Sequence, residues 1–128
     1  MNLLLDTHVF LWWILDDDRL SASARASIQD PAQRVFFSVA SGWEIAIKAR
    51  LGKIKLPKDL DAFVAEQLAT NVFEVLPILL SHALYVHKLP NHHRYPFDRM
   101  PVAQALETQM TLLTNDKAIR RYRVKTRW

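Results

Sequence analysis

With 128 residues, half of them hydrophobic and 23% charged, the chain is long enough for one domain with its own core. It contains no cysteine, which excludes a disulfide framework, a thiol nucleophile and any cysteine-ligated zinc or iron–sulfur centre. The longest unbroken apolar run, Val9 to Leu15, falls well short of the ~18 residues of a membrane span, and no basic residue precedes the first apolar stretch, so a cytoplasmic protein is expected. The net charge of +4 is unevenly placed: Lys117 to Trp128 holds six basic residues and no acidic one, and the other 116 residues hold 11 basic and 13 acidic side chains, net −2. Such a cluster attracts phosphate backbones without reading sequence, or simply solubilises the end of the chain.

Asn2 to Leu5 is a short apolar run ending at Asp6 and reads as a buried strand. Thr7 to Leu15 is apolar nearly all round, a helix covered on more than one side. Asp16 to Asp18 interrupt it, and Ser21 to Gln29 reads as a small-residue helix stopped by Asp30-Pro31. Val35 to Ser38 is a second strand. Ser38 to Leu51 has helical spacing, with Val39, Trp43, Ala46, Ile47 and Arg50 near one face and Gly52 as its C-cap. A helix over Leu60 to Ala69, a strand over Val72 to Leu76 and a helix over Leu80 to His87 follow. Lys88 to Phe97, with two prolines and two adjacent histidines, reads as a loop. Asp98 to Thr108 is helical, Thr111 to Thr114 a fourth strand, Lys117 to Tyr122 a short helix and Arg123 to Thr126 a weak last strand. Short apolar strands alternating with helices indicate an α/β fold, a central parallel sheet covered on both faces in a three-layer α/β/α domain spanning 1–128.

In open α/β sheets, ligands sit outside the carboxyl ends of the strands. Asp6 and Asp116 fall there directly, Glu44 lies a turn and a half into the helix leaving the second strand, and Asp98 opens the helix before the fourth. Each has a simpler structural use. Asp6, Asp98 and Asp116 could cap helices, and Glu44 could pair with Lys48 four residues on along an exposed face. For Asp98 the cap is weaker, because Pro101 lacks the N–H it would serve and biases Met100 away from helical angles. Jointly the four point to chemistry. Two like charges 4 Å apart cost about 4 kcal/mol at an effective dielectric near 20. Four carboxylates in one pocket therefore call for a cation, and oxygen-only ligands select a hard one, Mg²⁺ or Mn²⁺. Carboxylates, metal and water together imply phosphodiester hydrolysis.

LLLDTH at 3–8, SVASGWEIAIKARLGKI at 38–54, LPNHHRYPFDRM at 89–100 and TLLTND at 111–116 resemble the PIN-domain ribonucleases. Within these the chain is similar to the VapC-type toxins of bacterial toxin–antitoxin pairs. The resemblance implies a PIN fold, a divalent-metal-dependent endoribonuclease, a homodimer and a cognate antitoxin that occludes the site. It implies Asp6 and Asp98 as the most direct metal ligands, Glu44 and Asp116 completing the shell or orienting water, and Thr7 and Thr114 as supporting hydroxyls. Tyr95 stands where the family often has Asp, and Pro101 where an aliphatic residue is usual. Those departures motivate a catalytically silent binding module as the alternative. A housekeeping RNA-processing nuclease would keep the chemistry and change the role.

The histidines do not read as metal ligands: His82 and His87 do not share a helix face, and the adjacent His92 and His93 are expected to diverge. Arg94 and Arg99 flank Asp98, either binding the substrate phosphate or ion-pairing with the acids. One of Trp12 and Trp13 is expected in the core and the other near a partner surface. Trp43 is expected in the core, and the terminal Trp128 to be mobile.

Overall fold

Leu3, Leu4 and Leu5 are completely buried in the computed structural model, which describes residues 1–128. They form β1 (Asn2–Leu5), the central strand of a five-stranded sheet whose other members are β2 (Arg34–Ser38), β3 (Glu74–Leu76), β4 (Thr111–Leu113) and β5 (Thr126–Arg127). The order is β3-β2-β1-β4-β5 and every pairing is parallel. Strand side chains alternate between two cores, as the pleat requires. Leu5, Val35, Phe37 and Leu113 enter one core, with Val9 and Phe10 of α1 (Thr7–Ile14), Ala24 and Ile28 of α2 (Ala22–Gln29) and Ile45 of α3 (Val39–Arg50). The partly buried Leu60, Val64 and Leu68 of α4 (Leu60–Asn71) pack on the same core. Leu4, Phe36 and Leu112 enter the other, closed by Val102, Ala103 and Ala105 of α6 (Pro96–Thr108), with α5 (Leu80–Tyr85) beside it. This is the three-layer α/β arrangement expected. No helix is long and apolar enough to cross a membrane.

The chain builds β1, β2 and β3 in one direction across the sheet, then returns to place β4 on the other side of β1. That reversal splays the loops after β1 and β4 apart and opens a crevice at their carboxyl ends. Asp6 and Asp116 are the residues it receives.

Several elements differ from expectation. The helix expected from Asp98 begins two residues earlier, because Pro96 at its first position needs no N–H and carries a helix-ready φ. Pro101 lies inside α6, buried, and Asp98 is in the first turn. The third strand is shorter than expected because Val72 caps α4 in the left-handed conformation. Trp43 is 59% exposed, not core. The buried stripe of α3 is Ala40, Ser41, Glu44 and Ile45, whose small members let the helix approach its neighbours where an indole would not fit. Trp43 instead meets the edge of Phe97, with ring centroids 5.0 Å apart. Trp12 and Trp13 divide differently too: both are half-buried against the first core. Trp128 also packs there, edge-on to Trp12 at 5.9 Å, because β5 ties the terminus to the sheet edge. The basic segment is thus no free tail but a 3₁₀ turn (Lys117–Arg121) and the edge strand.

Val72 has φ 56°, ψ 41° and is 79% exposed. A β-branched residue in this region is strained by roughly 1–2 kcal/mol, which glycine avoids. Val72→Gly is therefore expected to stabilise the fold by about 1 kcal/mol, read as a rise of about 3–5 °C in Tm.

Candidate active site

Asp6 follows β1 and caps α1, accepting the His8 N–H at 3.4 Å, and the Thr114 hydroxyl donates to its other oxygen at 2.6 Å. One carboxylate thus joins the ends of two adjacent strands. Asp116 caps the 3₁₀ turn after β4 by accepting the Ala118 N–H at 2.9 Å, and the Thr114 hydroxyl oxygen accepts the Asp116 N–H at 3.0 Å. The capping roles open to Asp6 and Asp116 are therefore real, and each acid keeps oxygen valence beyond its cap.

Asp98 is carried by α6, whose position is fixed by Gln104. The Ser38 hydroxyl at the end of β2 donates to Gln104 Oε1 at 2.5 Å, and Gln104 Nε2 donates to the Pro77 carbonyl at 3.2 Å. Thr7 does not touch an acid: its hydroxyl donates to Ser41 Oγ at 2.8 Å and pins the start of α1 to the start of α3. Its support is for the elements that carry Asp6 and Glu44.

Asp6, Asp98 and Asp116 line one polar cleft of about 410 Å³. Glu44 does not line it. The carboxylate of Glu44 is 4% exposed and accepts from Lys48 Nζ at 2.7 Å, so the i,i+4 pair forms, but in the interior instead of on an exposed face. Burial pulls the Lys48 ammonium down, and its bond to Glu44 with the charges of Glu44, Tyr95 and Asp98 more than offsets this, leaving it raised. Burial pushes the Asp98 carboxyl above the ordinary range; nearby His93 opposes this, and Asp6, Glu44 and Asp116 add to it. Burial also raises Asp6, against its bonds to Thr114 and His8, with Asp116 adding to the rise. The other three acids are thus within electrostatic reach of Asp98, and the mutual repulsion of the four favours a bound cation.

The three acids offer oxygen donors alone, which suits a hard dication, although His8 also lines the cleft. No three of the acidic or histidine side chains close tightly enough to hold an ion by themselves. Magnesium usually keeps several waters and takes only one or two protein carboxylates, so a ring of carboxylates wider than an all-protein cage fits it.

The histidine loop departs from expectation. His92 and His93 do not diverge but converge on Tyr122, one edge-on at 4.8 Å and the other stacked at 5.6 Å. His93 is 10% exposed, with Nε2 2.9 Å from Asp116 Oδ2 and Nδ1 3.0 Å from the Tyr122 hydroxyl. Both ring nitrogens are engaged, Nε2 by the Asp116 carboxylate and Nδ1 by the Tyr122 hydroxyl. His93 is thus a partner of Asp116 that the sequence did not single out. His82 accepts the Leu79 N–H in the interior. Arg99 pairs with no acid. Its guanidinium donates to the carbonyls of Val86, Leu89, Pro90 and His93 and holds the loop in place. Arg94 lies with Arg99 on a neighbouring hollow, outside the carboxylate cleft. Tyr95, at the departure from the family pattern, precedes α6 and stacks edge-on against Phe97 at 5.2 Å.

The PIN domain profile matches residues 3–125. The chain belongs to the PIN-domain family. Among proteins of known sequence, this PIN-domain chain is 32% identical over 123 residues to Ribonuclease VapC22 of Mycobacterium tuberculosis (strain ATCC 25618 / H37Rv), covering 95% of the chain and 92% of that protein. Among solved structures it resembles VapBC2 from Rickettsia felis bound to a promoter DNA fragment, with a TM-score of 0.74 at 15% identity over 99% of this chain and 98% of that one. It also resembles VapBC-1 from nontypeable Haemophilus influenzae, with a TM-score of 0.64 at 20% identity over 99% and 97%. At these identities the structural likenesses speak for the PIN fold alone.

Proposed function

We propose that this PIN-domain protein is a cytoplasmic toxin-type endoribonuclease, which hydrolyses RNA phosphodiester bonds with a divalent ion and is neutralised by a cognate antitoxin. The observation that carries the reading is the meeting of Asp6, Asp98 and Asp116, from three distant parts of the chain, in one cleft at the carboxyl ends of β1 and β4. The names of the relatives support it: one is a ribonuclease, and the solved neighbours are VapBC assemblies. By the same likeness we propose a homodimer that associates with its antitoxin.

Asp6 and Asp98 would hold Mg²⁺ or Mn²⁺ most directly, with Asp116 completing its surroundings through water, while Glu44, outside the cleft and paired with Lys48, acts on the site only through its charge near Asp98. Bound there, such an ion supplies a water acidic enough to attack at neutral pH and offsets charge developing on the phosphate. The chain's own residues fix the constellation. Thr114 orients Asp6, and His93, backed by Tyr122, orients Asp116. Lys48 neutralises Glu44, so the interior behind Asp98 carries no unpaired charge.

Incubating the purified chain with RNA tests the proposal. Cleavage is expected with Mg²⁺ or Mn²⁺, none in EDTA, and a loss of at least about a hundredfold for Asp6→Asn with the far-ultraviolet circular dichroism unchanged. Wild-type cleavage by Asp6→Asn that EDTA does not affect would overturn the metal mechanism. Saturable RNA binding with no cleavage by the intact chain would favour a silent binding module.

A further inference from the structure

An acidic cleft that cuts RNA must also draw in a polyanion, and the carboxylates oppose that. Besides Asp6, Asp98 and Asp116, the cleft is lined by His8, Trp12 and Arg19, and Arg19 is its only arginine or lysine. Arg19 lies just beyond α1 and is 69% exposed at its side chain, yet it is not free to wander. Its Nη2 donates to Asp17 Oδ2 at 2.7 Å and its Nε to Asp17 Oδ1 at 3.1 Å, while Asp17 Oδ1 also accepts the Arg19 N–H at 2.9 Å. The guanidinium lies 5.2 Å from the centre of the Trp12 ring. A surface ion pair of this kind contributes little to stability. Its consequence is orientation: Asp17 occupies one edge of the fork and Trp12 backs its plane, leaving Nη1 without a hydrogen-bond partner in the chain.

Trp12 is fixed in turn. His8 approaches it at 5.9 Å and Trp128 packs edge-on at 5.9 Å. A held arginine beside a held indole is the pairing by which proteins grip single-stranded nucleic acid, the cation on the phosphate and the aromatic surface under a base. The cleft volume of about 410 Å³ lies within the range of small-ligand sites.

We infer that Arg19 and Trp12 form a subsite for one nucleotide of single-stranded RNA, Arg19 taking a backbone phosphate through its unpaired Nη1 edge and Trp12 an adjoining base. The subsite rests on the nuclease reading and adds to it the residues that hold the substrate. Exposed arginine and tryptophan also serve protein interfaces; their place in the same cleft as the carboxylates favours RNA.

The test uses the full chain carrying Asp98→Asn, so that substrate is not consumed, and a labelled short single-stranded oligouridylate followed by fluorescence anisotropy over a range of KCl concentrations. Adding Arg19→Gln is expected to weaken binding by about tenfold and to flatten the plot of log K against log salt by about 0.7, the loss of one phosphate contact. Arg19→Lys is expected to keep the slope. Trp12→Leu is expected to weaken binding at least about fivefold with the slope unchanged, and Trp12→Phe, which keeps both packing and an aromatic face, to restore most of it. An Arg19→Gln variant with parental affinity and slope overturns the subsite and leaves the nuclease reading standing. Normal RNA binding by Arg19→Gln together with loss of a co-purifying antitoxin assigns the surface to protein and also overturns it. No RNA binding by the Arg19-intact parent takes down both readings.

Discussion

Replacing Lys48 with methionine is expected to lower stability by about 3–5 kcal/mol, a fall of roughly 10–20 °C in Tm. Glu44 is almost wholly buried and Lys48 is its one ion-pair partner, at 2.7 Å. Without the ammonium, a carboxylate is left in the interior beside Asp98, Asp6 and Asp116, which already repel one another. The pair itself need not stabilise the fold relative to apolar residues; the damage comes from breaking it on one side. Lys48→Met combined with Glu44→Gln should therefore recover most of the loss, since the amide carries no charge. Thermal unfolding at pH 7 followed by circular dichroism decides the matter. A loss below about 1 kcal/mol would show that the pair behaves as an exposed one does.

Asp98→Asn is expected to do the reverse: to raise Tm at pH 7 in metal-free buffer while RNA cleavage is lost. The folded Asp98 carboxyl is held above its ordinary 3.8, chiefly by burial and then by its acidic neighbours against the opposing pull of His93. The folded state therefore binds this proton more tightly than the unfolded state. Its contribution is favourable below the ordinary carboxylate pKa and is lost as pH rises through the folded value. At pH 7 the ionised group costs stability, which the amide removes, and the advantage of the variant should shrink as pH falls towards 3.8. A divalent ion inverts the order. At a hundred times its Kd it adds about 2.7 kcal/mol to the wild type, and less to Asp98→Asn. Asp6 is a less clean test of stability, because the Thr114 hydroxyl and His8 N–H bond to its carboxylate. A less stable Asp98→Asn at pH 7, or equal stabilisation of both proteins by Mn²⁺, would contradict the electrostatic account.

The fold was largely legible because its strands are buried on both faces. Leu3 to Leu5, Val35 to Phe37 and Thr111 to Leu113 stand out as short apolar runs between polar breaks, and a parallel sheet needs such runs. The sheet edges were less legible. Val75 is exposed, and the third strand's start was obscured by a helix cap at Val72, a residue type that rarely adopts positive φ. Among the acids, Asp6 and Asp116 were placed by the end of a strand followed by a helix, a local signal. For Asp98 the expected helix starts two residues late, because a proline at the first helical position extends the helix backward while one further in suggests a later start.

What could not be read was lateral. His93 meets Asp116 across 23 residues and Tyr122 across 29, and nothing in the spacing of HHR marks which histidine turns inward. Arg99 adjoins Asp98 in sequence, which suits either a phosphate or an ion pair with the acids, yet adjacent residues on a helix point about 100° apart, and its guanidinium donates to four loop carbonyls and to no acid. Trp43 misled through its size: the periodicity of α3 admits a bulky face or a small-residue face, and close packing selected the latter. Arg19 lies in the polar stretch between α1 and α2, where no local signal marks it, and only the return of that stretch to the strand ends brings it into the cleft.

Carboxylates that follow β1, open α6 and follow β4 would share one hard dication. Anomalous diffraction from crystals of the full chain grown in Mn²⁺ tests this most directly. The expected result is a manganese peak in the cleft, bonded to Asp6 or Asp98 and otherwise to water, and absent from crystals of Asp98→Asn grown alongside. Manganese found only outside the cleft, or a peak in the cleft that persists undiminished in Asp98→Asn, would contradict it.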